Sequence, residues 1–232
     1  MVKCVTGVNH VTVACCYWGN WCRDHGPNYV VHLRNAVARH LTIPHRFVCF
    51  TTHPEKLPDD IEVRPLNVPS FLDILPKMIV YRPDNTLKGR VVVMDLDTVV
   101  IDSLDEMFSY DGEFCVREAF KFPGKIGGDM LAFKAGFGKN YIWKVLVENR
   151  MWLEKETGGD ERLVYQKLLV ERAGLKLDFW QHLYPGQVVS FKNHIEVKNS
   201  QAPRPGNTVV SFHGHPRPHE KTKLRWVREN WI

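Results

Sequence analysis

The apolar run Val91-Val92-Val93-Met94 drives into Asp95-Leu96-Asp97, and β-favouring residues resume at once as Thr98-Val99-Val100-Ile101. A strand therefore leads into two aspartates separated by one residue. A period of two turns both carboxylates to one face. In an open α/β sheet, ligands bind in the crevice beyond the carboxyl ends of the strands. Like charges that close require a cation, and hard oxygen donors suit Mg²⁺ or Mn²⁺, which bridge one or two carboxylates to substrate phosphates. The alternative is an ordinary aspartate-bearing turn, which four apolar residues before the pair and four β-formers after it disfavour.

With 232 residues, 44% hydrophobic and 25% charged, the chain is long enough for one sizeable core, and one domain is expected. No apolar stretch approaches the roughly 18 residues of a spanning helix. Lys3 is followed by no continuous apolar segment before a small-residue cleavage site, so a cytoplasmic protein is expected. Cys4, Cys15, Cys16, Cys22, Cys49 and Cys115 are read as thiols, since several lie in strand-like runs where Cys behaves as a small hydrophobe. Cys16, Cys22 and His25 have loosely metal-like spacing but no second Cys-x-x-Cys or His-x-x-x-His partner. The net charge of +5 favours anionic partners. Basic residues are dispersed, without a nucleic-acid motif, and no nucleic-acid partner is expected.

Strand-like and helix-like segments alternate, which argues for α/β layering. Val11 to Cys16 reads as a buried strand. Pro27 opens a helix from about Asn28 to His40, with Val30, Leu33, Val37 and Leu41 at helical spacing. Arg46 to Thr51 and Ile61 to Leu66 read as strands around the loop His53 to Asp60, and a helix over Ser70 to Tyr81 is interrupted near Pro76. After the aspartates, Ser103 is expected as the N-cap of a short helix with acidic residues in its first turn. Phe114 to Glu118 and Met130 to Lys134 read as strands flanking a ligand-covering loop, Lys121 to Gly128. Helices are expected over Tyr141 to Trp152 and Glu161 to Ala173, the second ended by Gly174 and capped by Asp160 if that residue is structural.

A second cluster closes the chain, where strand-like Thr208 to Phe212 runs into His213-Gly214-His215-Pro216-Arg217-Pro218-His219. One imidazole would complete an octahedral set with the aspartates. Gly214 permits close backbone approach, and Arg217 can neutralise phosphate oxygens. Alone, three histidines in a Pro-rich loop read as surface polar residues; beside the aspartate pair they read as a site.

The series Asp95-Leu96-Asp97, Gly128-Asp129-Met130-Leu131-Ala132-Phe133-Lys134-Ala135-Gly136, Gly159-Asp160-Glu161 and Phe212-His213-Gly214 with Arg217-Pro218 resembles metal-dependent glycosyltransferases of the GT-A fold. The relatives named by this pattern are family 8, the glycogenin and bacterial galactosyltransferase group. The resemblance covers Val11 to about His219, and its specific parts are the aspartate pair and the tail. It implies a Rossmann-like α/β fold with a mostly parallel central sheet flanked by helices. A nucleotide-binding half over about 1–110, a donor-sugar and acceptor half over about 111–219, and a carboxyl-terminal helix over 220–232 follow from it.

The same resemblance implies a hexosyltransferase that uses a nucleotide-diphosphate sugar, chiefly a UDP-sugar, with Mn²⁺ or Mg²⁺ held by Asp95, Asp97 and His213. Arg217, before Pro218, takes the place of the group's diphosphate lysine, with His219 where a tryptophan would stand. Lys77 is the best match to a donor-contacting basic residue. The group's Asn-Ser-Gly run becomes Gly127-Gly128-Asp129, with Asp129 left to accept a sugar hydroxyl. The group's Asp-Gln pair becomes Asp160-Glu161, with Asp160 toward donor or acceptor hydroxyls and Glu161 toward the acceptor or the developing positive charge. Retention of anomeric configuration is inherited from the group. The acceptor is a glycan, a protein or a lipid-linked sugar.

Two other readings stand beside this one. Asp95 and Asp97 also match the nucleophile and acid/base pair of haloacid-dehalogenase-like phosphatases, but about 90 residues with their own strands precede them and Val164 stands where a later aspartate is expected. The chain could also bind a nucleotide sugar without turning it over. In the tail from Glu220 to Ile232, Trp226 and Trp231 lie among Lys221, Lys223, Arg225 and Arg228; the segment either packs Leu224 and a tryptophan on the domain or touches a membrane-borne acceptor peripherally.

Overall fold

The computed structural model describes residues 10–19, 26–66, 75–198, 200 and 202–232. Its centre is a seven-stranded sheet in the order β3-β2-β1-β4-β7-β6-β8, made of β1 (Val11–Tyr17), β2 (His45–Thr51), β3 (Glu62–Pro65), β4 (Arg90–Met94), β6 (Phe114–Glu118), β7 (Ile126–Lys134) and β8 (Asp178–Phe179). Pairing is parallel from β3 through β4 and between β6 and β8. Only β7 runs against the rest, antiparallel to both neighbours. The mostly parallel sheet flanked by helices is the architecture expected.

Both faces of this sheet are covered, and the strand sequences show how. Along β1, Val11, Val13, Cys15 and Tyr17 enter one core while Ala14 and Cys16 enter the other. In β4, Val92 and Met94 face the first core and Val91 and Val93 the second. A strand buried on both sides reads as continuous apolar sequence. On the first face lies α1 (Asn28–His40), which buries Tyr29, Val30, Leu33, Ala36 and Val37 and has the bounds its periodicity predicts. The second core is closed by Met78, Ile79, Leu146, Val164, Tyr165 and Leu169.

The chain leaves this sheet at the aspartate pair. β5 (Thr98–Val100) belongs to a second, three-stranded sheet with β9 (Val188–Ser190) and β10 (Val209–Ser211), in the order β5-β10-β9. Asp95, Leu96 and Asp97 are thus the joint between two sheets. Sequence patterning identified β10 but not the sheet change.

Several local expectations are corrected. The described part of the expected Ser70–Tyr81 helix is a 3-10 helix, Pro76–Tyr81; residues 70–74 lie outside the described residues, as do Cys4, Cys22 and His25. Helix α2 (Asp105–Phe108) is capped at Leu104 rather than Ser103, whose Oγ instead accepts from the Asp105 amide at 3.3 Å. Of the glycines in the expected covering loop, Gly124 lies in a tight turn and Gly127 and Gly128 belong to β7, because the chain turns back between Ala119 and Lys125, where the Ala119 amide donates to the Lys125 carbonyl at 2.7 Å. The helix expected over Tyr141–Trp152 is divided at Asn149, whose φ of −129° and ψ of 33° lie outside the helical region and separate α3 (Lys144–Glu148) from α4 (Arg150–Thr157). Residues after α5 (Glu161–Tyr165) continue as a π-helix, Gln166–Arg172. Helix α6 (Trp180–Leu183) follows, and the tail holds a 3-10 turn, Pro218–Lys221, and only then a helix, α7 (Arg225–Asn230).

That tail packs on the domain. Trp231 meets Tyr29 edge-on at 4.9 Å and His32 at 4.2 Å between ring centroids, and Leu224 and Trp226 lie against the first core. Cys15, Cys16, Cys49 and Cys115 are buried free thiols. Among the described residues, no helix is long and apolar enough to cross a membrane.

Candidate active site

Asp95 and Asp97 emerge from β4 at its carboxyl end. The β4–β7 register pairs Met94 with Met130, which sets Asp129 beside Asp95; the Asp95 amide donates to the Asp129 carbonyl at 2.9 Å. The second sheet then closes on the joint. β10 pairs with β5, and the Phe212 amide donates to the Asp97 carbonyl at 3.0 Å, so His213 and Gly214 follow immediately at the aspartates. A cleft of about 310 Å³ results, holding Lys77, Asp95, Asp97, Glu161, His213 and Arg217, with Cys16, Trp18 and Gly214 in its wall.

Its carboxylates are partly neutralised from within. Lys77 Nζ donates to Asp95 Oδ1 at 2.8 Å and to the Gly128 carbonyl at 3.1 Å, and lies 2.7 Å from Glu161 Oε2. Burial alone would lower the Lys77 pKa, but Asp95 and Glu161 outweigh it and hold the ammonium above its ordinary value. Arg217 pairs with Asp97 Oδ2. Burial, then the charge of Asp95, still pushes Asp97 up to about 7 against the pull of Arg217. Glu161 is likewise raised to about 7 by burial and Asp95 against Lys77. Its Oε1 is buried without a partner among the described residues.

Behind the cleft lies a pairing that sequence reading missed. Arg117, on β6, pairs with Asp129 Oδ1, Ser211 donates to Asp129 Oδ2, and the Arg117 guanidinium stands 4.2 Å over the Phe120 ring. Phe120 in turn stacks on His213 at 5.4 Å. Both Asp129 oxygens are therefore engaged, and reading a sugar hydroxyl there requires one bond to open. No motif spacing reveals Arg117; the one available signal is Gly127, where a Cβ would overlap the guanidinium.

His213 Nε2 is hydrogen-bonded to Ser190 Oγ at 2.8 Å. Burial, with the charges of Arg117, Lys192 and Lys121, lowers this imidazole to about 4, so it is neutral near pH 7. Asp160 stands at the start of α5 as its N-cap, accepting from the Arg162 amide at 2.9 Å and pairing with the Arg162 side chain. Glu161 lines the cleft and Asp160 does not.

Among the described residues, no three His, Cys, Asp or Glu side chains converge closely enough to hold a metal ion. The donor chemistry nevertheless fits a hard divalent cation in the manner usual for Mg²⁺, which takes one or two carboxylates and completes its shell with water and substrate phosphates. Asp95 and Asp97 supply such a pair, and the cleft carries one more carboxylate than cations, with an orphaned carboxylate oxygen on Glu161.

No family model matches the chain, and no curated protein matches it by sequence. Its fold is that of solved GT-A glycosyltransferases. A galactosyltransferase, LgtC, in complex with donor and acceptor sugar analogues, superposes with a TM-score of 0.61 at 11% identity over 94% of this chain and 93% of that one. The glycosyltransferase GlyE of Streptococcus pneumoniae TIGR4 gives 0.60 at 12% identity over 94% of this chain and 62% of its own. The bifunctional glycosyltransferase WbbM gives 0.58 at 13% over 97% and 51%. The chain thus spans nearly all of the first and about half to three-fifths of the other two.

Proposed function

We propose that the chain is a glycosyltransferase moving a sugar from a nucleotide-diphosphate donor, chiefly a UDP-sugar, to an acceptor hydroxyl. The observation that carries this reading is the Asp95–Asp97 pair at the carboxyl end of β4, facing Lys77, Glu161, His213 and Arg217 across one cleft of a glycosyltransferase fold. The donor and acceptor sugar analogues of LgtC favour the same substrate class. The fold gives no support to the phosphatase alternative.

Asp95 and Asp97 would hold Mn²⁺ or Mg²⁺, with His213 the third candidate in the same cleft. Bound there, the cation would neutralise diphosphate oxygens and ease their departure. In transfer, the bond between the anomeric carbon and the β-phosphate oxygen breaks with its electron pair retained by the diphosphate. The acceptor oxygen forms the new glycosidic bond, and its proton passes to the departing diphosphate oxygen or through it to solvent. Arg217, paired with Asp97, would stand beside the departing group, and charge stabilisation of this kind is commonly the largest catalytic contribution. Glu161 is the carboxylate available to the developing positive charge or to the acceptor hydroxyl, and Lys77 fixes its orientation. Retention of configuration belongs to this proposal, as does a cytoplasmic setting.

The test is incubation of the protein with Mn²⁺ and UDP-, GDP- and CDP-sugars, measuring nucleotide binding and release, with Asp97→Asn as control. Metal-dependent release of one nucleotide, lost in the variant, is expected. Neither binding nor release with any donor would overturn the reading.

A further inference from the structure

We infer that Lys192, on the turn after β9, is a binding residue for the donor's diphosphate; the inference rests on the glycosyltransferase reading and adds to it a cation that no motif in the chain marks. The argument begins with charge. Each cation lining the cleft is committed to one of the cleft's own carboxylates: Lys77 bridges Asp95 and Glu161, and Arg217 pairs with Asp97. Behind them Arg117 is spent on Asp129. The cleft's carboxylates outnumber its cations by one, so with a divalent cation bound its wall would carry about one positive charge, less than the charge of an entering diphosphate, and a further cation is needed to meet the rest.

Lys192 meets that requirement by position. A Cβ on Gly214 would stand 3.1 Å from the Lys192 ammonium, so the ammonium lies close to the backbone of the residue that follows His213 in the cleft wall. Gly214 has φ +74°, which glycine adopts without strain, and a Cβ there would meet nothing but the Lys192 ammonium within 4 Å; Lys192 does not line the cleft itself and stands behind Gly214, which does. No carboxylate among the described residues pairs with Lys192, which is half-buried.

The turn that carries Lys192 is fixed to the same loop. Ser190 caps the segment Phe191–Glu196, its Oγ accepting from the Asn193 amide at 3.1 Å, and the same Oγ is hydrogen-bonded to His213. One hydroxyl therefore ties the start of the Lys192 turn to the imidazole next to Gly214. An ammonium held this way is a point charge suited to phosphate oxygens and needs no planar geometry. The arrangement is tertiary, since Lys192 and Gly214 lie on different connections of the second sheet.

The experiment is calorimetric titration of UDP, with GDP and CDP in the same panel, and of uridine, against wild type, Lys192→Met and Lys192→Arg in the presence of Mn²⁺. Loss of one charge-assisted contact predicts a fall in UDP affinity of about ten- to a hundred-fold for Lys192→Met. Uridine affinity should be unchanged, and Lys192→Arg should recover most of the loss. Equal UDP affinity in wild type and a folded Lys192→Met overturns this inference alone, and so does a parallel loss of uridine, which would mark a structural effect. A wild-type protein that binds no nucleoside diphosphate overturns the glycosyltransferase reading and this inference with it.

Discussion

Lys77 lies 2.7 Å from Glu161 while donating at 2.8 Å to Asp95, so one ammonium joins the start of α5 to the end of β4. The Lys77 and Glu161 side chains are 10% and 18% exposed, and this shared cation is what allows two carboxylates to stand in one largely buried place. The cleft is stabilised by the same charges that give it chemistry.

Removing that ammonium should therefore be felt in stability before activity. Lys77→Met leaves two partly buried carboxylates uncompensated, at a cost of about 3 kcal/mol, the lower end for breaking buried ion pairs because Asp95 keeps some solvent contact. Adding Glu161→Gln should recover part of the loss. Urea unfolding at pH 8 measures both, and a single variant as stable as wild type would show that the bridge contributes nothing.

The pairing behind the cleft depends on a missing side chain. Gly127→Ala places a methyl on the Arg117 guanidinium, which is buried between Asp129 and Phe120 and has nowhere to retreat without opening the ion pair. Overpacking of this kind costs about 1–3 kcal/mol. Denaturant midpoints of Gly127→Ala alone and in an Arg117→Met background separate the clash from a general glycine effect, because most of the cost should vanish once the guanidinium is gone.

Asp160 offers a clean division between cap and chemistry. Asp160→Ala removes the side-chain acceptor for the Arg162 amide and should cost about 1 kcal/mol, while Asp160→Ser restores the cap. Equal stability of wild type and Asp160→Ser, with transfer measured on both, isolates any role in the reaction; full activity in Asp160→Ser would confine this residue to capping.

A pH effect is expected at the docked tail. Burial, with the charge of Arg39, lowers the His32 pKa below 6.5 against a hydrogen bond to the backbone of Ile232, and Trp231 packs on the ring. A base with a lowered folded pKa binds fewer protons folded than unfolded. Its contribution is complete above the unfolded value of about 6.5 and is lost as pH falls below it toward the folded value. The thermal midpoint of wild type should drop more between pH 7 and pH 5 than that of His32→Phe, which keeps a ring against Trp231 and cannot titrate. Identical slopes would refute this.

Much of the fold was written in periodicity. Val91 to Met94 and Val11 to Tyr17 announce strands buried on both faces because every residue but Thr12 is apolar or aromatic, and Val30, Leu33 and Val37 give α1 its bounds because one helical stripe must face the sheet. Where prediction failed, competing local forces decided. Asn149 divides a helix whose apolar spacing continues through it, and Gly127 and Gly128 fall within β7 as an irregularity between the paired residues Ile126 and Leu131, so the flanking ladder carries the strand through them.

The linear order of residues names the groups of the cleft: two aspartates at a strand exit, a histidine and an arginine after another strand, and the glutamate of an acidic pair opening a late helix. Tertiary structure alone decided who meets whom. Lys77 reaches Asp95 and Glu161, Arg117 reaches Asp129, and Lys192 reaches Gly214 because strand register and the change of sheet at Asp95–Asp97 bring distant segments within side-chain length. Periodicity records which face a residue presents to its own element's neighbours. It carries no record of the neighbour's identity, and electrostatic pairing over a few ångströms depends on that identity.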